Sequence, residues 1–272
     1  MTAANHPIAI ECLSVFGLPP VPFVELAADL DCRHVTVNLS PARHNPHGYP
    51  AWSLRDAAVR QQMRSAMRDR GIGISLGEGF SVRPNAEVRD LVADLDLMAE
   101  LGITCVNAVS IEPEMSRTVD QLTQFVEMAA QRGIVTTTEI GVGSVPNIAT
   151  ALRVIGQVKR ADFLLLIDTM HYFRLGSTLA ELAAVDPDLI GYIQLCDVPL
   201  KPKIARYSEE ALCARMIPGT GELPLLDLLA LVPRHVVIGI EVPQRALAES
   251  GVGPHERLRP CVEATRRLLG AL

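Results

Sequence analysis

Residues 118–140 read TVDQLTQFVEMAAQRGIVTTTEI and join a helix-like run to a strand-like run. The first part predicts a helix from about Thr118 to Arg132, and Gly133 follows it as a helix-ending residue. The β-branched residues of the second part, IVTTTEI, favour extended structure. The stretch is therefore one helix followed by one strand.

The same alternation continues in both directions along the chain. The strand-like runs are IAIECL (8–13), RHVTVNL (33–39), GIGISLGEGF (71–80), ITCVNAV (103–109), IVTTTEI (134–140), FLLLID (163–168), LIGYIQLCD (189–197) and VVIGIEV (236–242). Strands that alternate with helices are typical of a parallel sheet. Eight units in 272 residues leave 34 residues for each, and no Pro/Gly/Ser-rich linker divides them. We predict an α/β fold, one (β/α)8 barrel domain over residues 1–272.

The helices between these runs are predicted from apolar spacing and end signals. They cover about 21–30, 53–70 with Ser53 as N-cap, 86–101, 118–132, 178–185, 223–232 and 255–269. Two long connections, 40–52 and 198–222, are expected to be binding loops or lids. A doubly wound open sheet is the alternative fold, but LSVFGLPP after the first strand lacks its G-x-G-x-x-G turn.

Composition excludes several classes of function. The formal net charge is −6 and no basic stripe is present, which argues against nucleic acid as a partner. No apolar run approaches about 18 residues and the N-terminus lacks the features of a signal peptide, so neither membrane insertion nor export is expected. The six cysteines are widely spaced without a C-x-x-C pair, which favours reduced thiols and a cytoplasmic location.

Four strand-like runs near the C-terminal half end in an acidic or amide residue: Glu139, Asp168, Gln194 and Glu241. In a barrel these ends meet at one mouth, where barrel enzymes place their chemistry. Each residue alone has an ordinary alternative role, capping the next helix or binding a loop. Three carboxylates converging on a partly dry mouth would repel one another unless a cation compensated them. Oxygen ligands favour a hard ion, so we predict one divalent metal, Mn first, with Mg, Co or Zn as alternatives.

The chain resembles the xylose isomerase-like TIM barrels, which include sugar and sugar phosphate isomerases and epimerases. The resemblance spans nearly the whole chain and is carried by TEIG (138–141), DTMH (168–171), IQLCD (193–197), PGTGELPL (218–225) and IEVP (240–243). It implies that Asp168 binds the metal and that His171 faces the substrate. It also implies that Glu139 and Glu241 are metal ligands on opposite faces of the substrate carbon, where they form the catalytic acid/base pair.

Gln194 departs from this pattern. Epimerases of the family usually carry histidine there in an H-x-K-D run, whereas the related 3-dehydroshikimate dehydratases carry glutamine with the same Glu, D-x-x-H and Glu pattern. A glutamine carbonyl can still ligate a hard metal, and a hydrogen bond to substrate or to a neighbouring ligand is the other role open to it. The expected activity is isomerisation or epimerisation of a small polyhydroxylated carbonyl compound, a sugar or sugar phosphate. The alternative is a lyase, a dehydratase of 3-dehydroshikimate or of an inosose-like ketone.

Further residues are candidates for contacts to the small-molecule substrate. Arg215, just before PGTGELPL, suits a carboxylate, phosphate or hydroxyl, although a solvated charged loop is an equal alternative. Asn107 and Glu78, at the ends of the fourth and third strand-like runs, could bind hydroxyls or cap loops. GTGEL lacks the lysine and spacing of a P-loop, so its glycines are interpreted as turn residues.

Two other kinds of function are open at this stage. A non-catalytic barrel would bind a sugar-like ligand or a partner subunit and leave its acid/base pair unused. The endonuclease IV relatives of this fold cleave DNA with several zinc ions, but the acidic charge and the few histidines near strand ends argue against them. The resemblance also implies a homo-oligomer, because barrels of this family often form dimers or tetramers.

Overall fold

Eight parallel strands form a closed barrel in the computed structural model, which describes residues 6–141 and 143–272. The strands are β1 (Ile8–Ile10), β2 (His34–Val37), β3 (Gly73–Val82), β4 (Cys105–Ser110), β5 (Val135–Glu139), β6 (Phe163–Asp168), β7 (Ile190–Leu195) and β8 (Val237–Ile240). Each strand pairs with the next in sequence, and β1 pairs with β8 to close the ring. The predicted (β/α)8 fold is confirmed.

Eleven α-helices are present among the described residues. They are α1 (Pro20–Asp29), α2 (Ala57–Arg70), α3 (Val92–Glu100), α4 (Met115–Ala130), α5 (Ile148–Val158), α6 (Thr169–Arg174), α7 (Leu179–Ala183), α8 (Tyr207–Cys213), α9 (Leu225–Ala230), α10 (Arg245–Glu249) and α11 (Pro254–Gly270). Helix α5 was not predicted, and neither were the short helices α6, α8 and α10, whose five to seven residues are too few to show a helical period. None of the described helices combines the length and apolarity needed to cross a membrane.

The start of α2 corrects one prediction. Its N-cap is Asp56, whose carboxylate accepts a hydrogen bond from the Ala58 N–H at 2.8 Å. The Ser53 hydroxyl instead donates to the Leu39 carbonyl at 3.3 Å and lies in the preceding loop. Both residue types are good N-caps, and Ser53 binds the loop that returns from β2 while Asp56 caps the helix.

The barrel has an apolar interior and a larger apolar layer between strands and helices. Leu76, Leu166 and Tyr192 pack together inside the barrel and are at most 1% exposed. Above them the interior becomes polar, because the Tyr192 hydroxyl donates to the Glu11 carboxylate at 2.9 Å. The apolar layers therefore position a polar mouth at the C-terminal ends of the strands.

Gly239 on β8 provides the space for that buried carboxylate. A Cβ at this position would lie 1.7 Å from Glu11 Oε1 and 2.9 Å from Tyr192 Cε1. Glu11 has no exposed surface, so it cannot move aside into solvent. The absence of a side chain at Gly239 is thus needed for Glu11 to lie where it does.

Gly239→Ala is expected to destabilise the protein by about 1–3 kcal/mol, because an added methyl in a packed core displaces its neighbours. Gly156→Ala is a matched control: it lies inside α5, and a Cβ added there would have no atom within 4 Å. That change should raise stability by about 0.5–1 kcal/mol through helix propensity. Urea unfolding of both variants measures the difference, and equal effects would contradict the role given to Gly239.

Candidate active site

The four predicted metal ligands all lie at the mouth of the barrel. Glu139 and Asp168 are the last residues of β5 and β6, Gln194 is the second-last residue of β7, and Glu241 directly follows β8. The strand register places Asp168 opposite Gln194. Parallel strands in register thus bring together residues that are far apart in sequence.

The spacing of DTMH has a local structural cause. Asp168 is the N-cap of α6, and its Oδ1 accepts a hydrogen bond from the His171 N–H at 3.0 Å. Asp168 is therefore both the last residue of β6 and the N-cap of α6. His171 lies in the first turn of that helix and so at the same mouth of the barrel. Asp168 Oδ2 remains free of the cap and contacts Arg215.

Arg215 occupies the centre of the site. Its Nη1 contacts Asp168 Oδ2 and lies 2.7 Å from Glu241 Oε2, and the residue is 3% exposed. The backbone is fixed between the ends of β7 and β8, because the Arg215 N–H donates to the Pro243 carbonyl at 3.2 Å. The sequence predicted a substrate contact for Arg215 but did not predict that two carboxylates would share its charge.

The loop that carries Arg215 is organised by Asp197. The carboxylate of Asp197 accepts hydrogen bonds from the N–H groups of Val198, Gly219, Gly221 and Leu223, at 2.9 to 3.1 Å. A Cβ on Gly221 would lie 2.3 Å from Asp197 Oδ1. The glycines of GTGEL therefore wrap a carboxylate of the protein itself, as the interpretation of a shaped turn expects.

His171 connects Glu139 with a residue that the sequence did not single out. Its Nε2 lies 3.4 Å from Glu139 Oε1, and its Nδ1 is hydrogen bonded to the Tyr207 hydroxyl on α8. When Tyr207 donates to Nδ1, the proton of the neutral ring lies on Nε2 and points toward Glu139. On the other side of Glu139, Asn107 Nδ2 donates to Oε2 at 3.2 Å.

Glu11 is the main site residue that the sequence reasoning missed. It follows β1, is fully buried, and accepts hydrogen bonds from Tyr192, from Thr36 Oγ1 at 3.0 Å and from Gln194 Nε2 at 3.2 Å. The signal was present, since Glu11 stands near the end of IAIECL just as Glu139 stands near the end of IVTTTEI. Applying the strand-end criterion to all eight strands would have found it.

Glu78, which was expected at the end of the third strand, lies within β3 because the strand continues to Val82, and it joins the same network. Its Oε1 accepts from Gln194 Nε2 at 2.9 Å and its Oε2 accepts from the Cys12 thiol at 2.9 Å. Glu78, Glu139 and Glu241 all line a cavity of about 300 Å³ that opens at the mouth. Asn107 lines this cavity as well. The other predicted site residues are not among its lining residues: Asp168, His171, Gln194 and Arg215.

The buried carboxylates have strongly shifted proton affinities. Burial, reinforced by the charge of Asp168, raises the pKa of Glu139 to about 8. Burial also raises the pKa of Glu241 well above its usual range, against the opposing charge of Arg215. Burial alone would raise the pKa of Asp168, but Arg215 and His171 bring it below the usual range. Of these three carboxyl groups, Asp168 therefore has the lowered pKa and loses its proton first as the pH rises.

Two groups of side chains at the mouth could each hold a divalent cation. Ligand atoms of Glu139, Asp168 and His171 lie within 4.8 Å of one another, and so do those of a second group, Glu11, Glu78 and Glu241. Gln194 Nε2 also lies 3.4 Å from Glu241 Oε1, while Gln194 Oε1 is buried and has no hydrogen-bond partner among the described residues. A buried carbonyl oxygen that accepts no hydrogen bond costs folding free energy. Such an oxygen can ligate a hard cation together with carboxylates.

Metal affinity is expected to rise with pH, because Glu139 and Glu241 must lose their protons to act as ligands. Between pH 6 and 8 the dissociation constant for Mn²⁺ should fall by about tenfold per pH unit for each proton released. Calorimetric titration in two buffers of different ionisation enthalpy counts those protons. Glu139→Gln should release about one proton fewer than the unmodified protein, and an affinity that does not depend on pH would contradict the assignment.

Comparison with known proteins identifies relatives of the whole chain. A model of the family described as "Xylose isomerase-like TIM barrel" matches residues 24–259. A comparison with curated protein sequences gives no match.

Solved structures with the same architecture include three of different descriptions. The IolI protein with a bound zinc atom has a TM-score of 0.80 at 16% identity, covering 97% of this chain and 98% of its own. A probable 3-DHS dehydratase, AsbF of Bacillus anthracis, has a TM-score of 0.73 at 11% identity over 95% and 98% of the chains. D-psicose 3-epimerase, solved in the presence of D-fructose, has a TM-score of 0.71 at 15% identity over 97% and 99%. At these identities the likeness is one of fold.

Proposed function

Because this chain belongs to the xylose isomerase-like TIM barrel family, we propose that it is a divalent-metal-dependent isomerase or epimerase of a small polyhydroxylated carbonyl compound. The reaction is a proton transfer at the carbon next to the carbonyl. The observation that carries the proposal is that two buried glutamates, Glu139 and Glu241, line one cavity and both have raised pKa values. Solved structures of the same fold include an epimerase, which supports this class of reaction.

The metal ligands of this proposal are Glu139, Asp168, Gln194 and Glu241. A divalent ion held by these residues would act as a Lewis acid on the substrate carbonyl and so make the neighbouring C–H more acidic. An oxygen-only ligand set favours Mn or Mg. Zinc or cobalt is compatible with the same ligands, and the zinc atom bound by the IolI protein, which has the same fold, supports a divalent ion.

The chain's own residues supply the proton transfers. Glu241 takes the proton from the substrate carbon, and Glu139 returns a proton to the opposite face or to the adjacent carbon. Burial raises the pKa of Glu139 to about 8 and also raises the pKa of Glu241, and general acid/base catalysis works best with groups whose pKa lies near the operating pH. His171 Nε2 lies beside Glu139 and donates to a substrate oxygen. Burial lowers the pKa of His171, against the charge of Asp168, so the donor is the neutral ring.

Dehydration is the second candidate reaction. Gln194 supports it, because the dehydratases that the sequence resembles carry glutamine at this strand end. His171, hydrogen bonded to Tyr207, supplies a donor for a departing hydroxyl. A probable 3-DHS dehydratase of the same fold also supports it. In this reaction Glu241 removes the same proton and the hydroxyl leaves instead of the carbon being reprotonated.

A proton-exchange screen in deuterated water tests the proposal. Metal-loaded protein is incubated with ketoses, ketose phosphates, inososes and 3-dehydroshikimate, and loss of the proton next to the carbonyl is followed by NMR. Isomerisation or epimerisation exchanges this proton and yields an isomer. Dehydration yields an absorbing conjugated product with water lost. Absence of both across the panel, in protein shown to hold metal, would contradict the proposed function.

We also propose a cytoplasmic location. All six cysteines are free thiols, and four of them are buried. Free buried thiols are typical of a reducing compartment.

A further inference from the structure

The mouth cavity is asymmetric in charge. Three carboxylates, Glu78, Glu139 and Glu241, lie among its lining residues. Among the described residues that line it, Arg83 is the one cationic side chain. Arg83 directly follows β3, so it stands at the rim, further along the strand than Glu78. The cavity thus combines an acidic region with one basic group at its edge.

Arg83 is free to bind a ligand, in contrast to Arg215. Within the part of the chain that the structure describes, Arg83 forms no ion pair, and its one hydrogen bond runs from Nε to Ser81 Oγ at 2.7 Å. Arg215 is 3% exposed and its charge is shared by Asp168 and Glu241. An incoming anion therefore meets an unpaired guanidinium only at Arg83 within this cavity.

The backbone around Arg83 limits where the guanidinium can go. Pro84 follows it, and a residue before proline is confined to extended conformations. The preceding residue is held as well, because the Val82 carbonyl accepts a hydrogen bond from the Ile111 N–H at 2.9 Å. The Ser81 contact occupies Nε and leaves both Nη groups for a ligand.

We propose that Arg83 binds an oxyanion of the substrate, a carboxylate or a phosphate, at the end of the molecule remote from the reacting carbon. The inference rests on the proposed function and names the substrate class as anionic hydroxy-ketones. The guanidinium fork matches both oxyanions in a bidentate geometry. Arg83 stands at the rim of the cavity, so an oxyanion bound there leaves the carbonyl end of the molecule near Glu139 and Glu241 in the same cavity.

The remaining lining groups suit the middle of such a molecule. Asn38, Ser81 and Asn107 are neutral polar residues of the same cavity that can bind hydroxyls. A volume of about 300 Å³ is at the low end of small-molecule sites, so the substrate is compact. A six-carbon ring or chain with one anionic group is of this size.

Kinetics of Arg83→Gln test the inference. The probes are 3-dehydroshikimate, a ketose phosphate, and uncharged inosose and ketose, all assayed by proton exchange. We expect the unmodified protein to prefer the carboxylate or the phosphate member. Arg83→Gln should lower kcat/KM for that compound by about 10- to 100-fold, mainly through KM, because an oriented ion pair is lost. The uncharged compounds should change by less than about threefold.

Arg89→Gln is the matched control, because Arg89 lies on the same connection but pairs with Gln124 Oε1 at 3.0 Å and does not line the cavity. Its kinetics should stay unchanged. A preference for uncharged compounds, or equal losses for charged and uncharged compounds in Arg83→Gln, would overturn the inference.

Equilibrium binding separates this inference from the proposed function. Shikimate and inorganic phosphate are titrated into metal-loaded protein by calorimetry, which needs no turnover. Binding that Arg83→Gln weakens about tenfold and Arg89→Gln leaves intact supports the anion site even if no compound is turned over. If neither anion binds the unmodified protein at millimolar concentration, the anion site is wrong, whatever the proton-exchange screen shows.

Discussion

Glu241→Gln is expected to lower the rate of substrate proton exchange by about 1,000-fold at saturating metal, because it removes the base that takes the proton from carbon. Glutamine has nearly the same size, and its carbonyl can still ligate a hard metal. The substitution therefore separates the two roles assigned to Glu241. Metal content measured on the same sample shows whether the ligand role survives, and proton exchange followed by NMR shows whether the base is lost.

Glu112→Gln is the matched control for this experiment. Glu112 is 4% exposed and accepts hydrogen bonds from Arg117 Nε at 3.1 Å and from the Glu114 N–H at 3.0 Å, but it does not line the cavity. Its variant should keep the exchange rate within a few fold. If Glu241→Gln retained exchange within tenfold of the unmodified protein while holding metal, Glu241 would not be the base.

Arg215→Gln is expected to destabilise the metal-free protein by about 3–5 kcal/mol, because it leaves a buried carboxylate without its partner. Asp168 has no exposed surface and its pKa is held low mainly by the charge of Arg215, so it would have to become protonated or remain an unpaired charge. Added Mn²⁺ should recover much of the loss, since a cation can take over the role of the guanidinium. Urea unfolding with and without metal measures both effects.

Arg55→Gln provides the comparison for Arg215. The side chain of Arg55 is 52% exposed and pairs with Asp94 Oδ2 at 2.7 Å. Exposed pairs contribute about 0.2–1 kcal/mol, so this variant should change little, with or without metal. A loss in Arg215→Gln no larger than that of Arg55→Gln, or a loss that Mn²⁺ does not reduce, would show that Arg215 does not compensate the metal-binding carboxylates.

The barrel could be predicted because strand-like runs alternate with helix-like runs along the whole chain. Glycines end three of the predicted helices, at Gly71, Gly102 and Gly133, and the repeated alternation identifies the fold. The placement of Glu139, Asp168, Gln194 and Glu241 at one mouth follows from that fold. Residues on strand ends were therefore accessible to sequence reasoning, although their role in binding metal is still a prediction.

Contacts made by loops could not be predicted in the same way. Tyr207 lies on a helix of seven residues inside a long connection, and no sequence period shows that it contacts His171. The position of Arg215 depends on a bridge to Pro243 and on the Asp197 carboxylate, which are long-range contacts. Glu11 is a different case, because it stands at a strand end and the sequence signal for it is as strong as that for Glu139.

The metal site itself can be located by an anomalous diffraction map from crystals of the protein soaked in Mn²⁺. We predict one strong peak at the mouth of the barrel, at about 2.0–2.4 Å from oxygens of Glu139, Asp168, Gln194 and Glu241. Arg215 Nη1 is then expected to have left its contact with at least one of the two carboxylates that it now bridges. A map without a peak at these four residues, from protein that binds Mn²⁺ elsewhere or not at all, would show that they do not form a metal site.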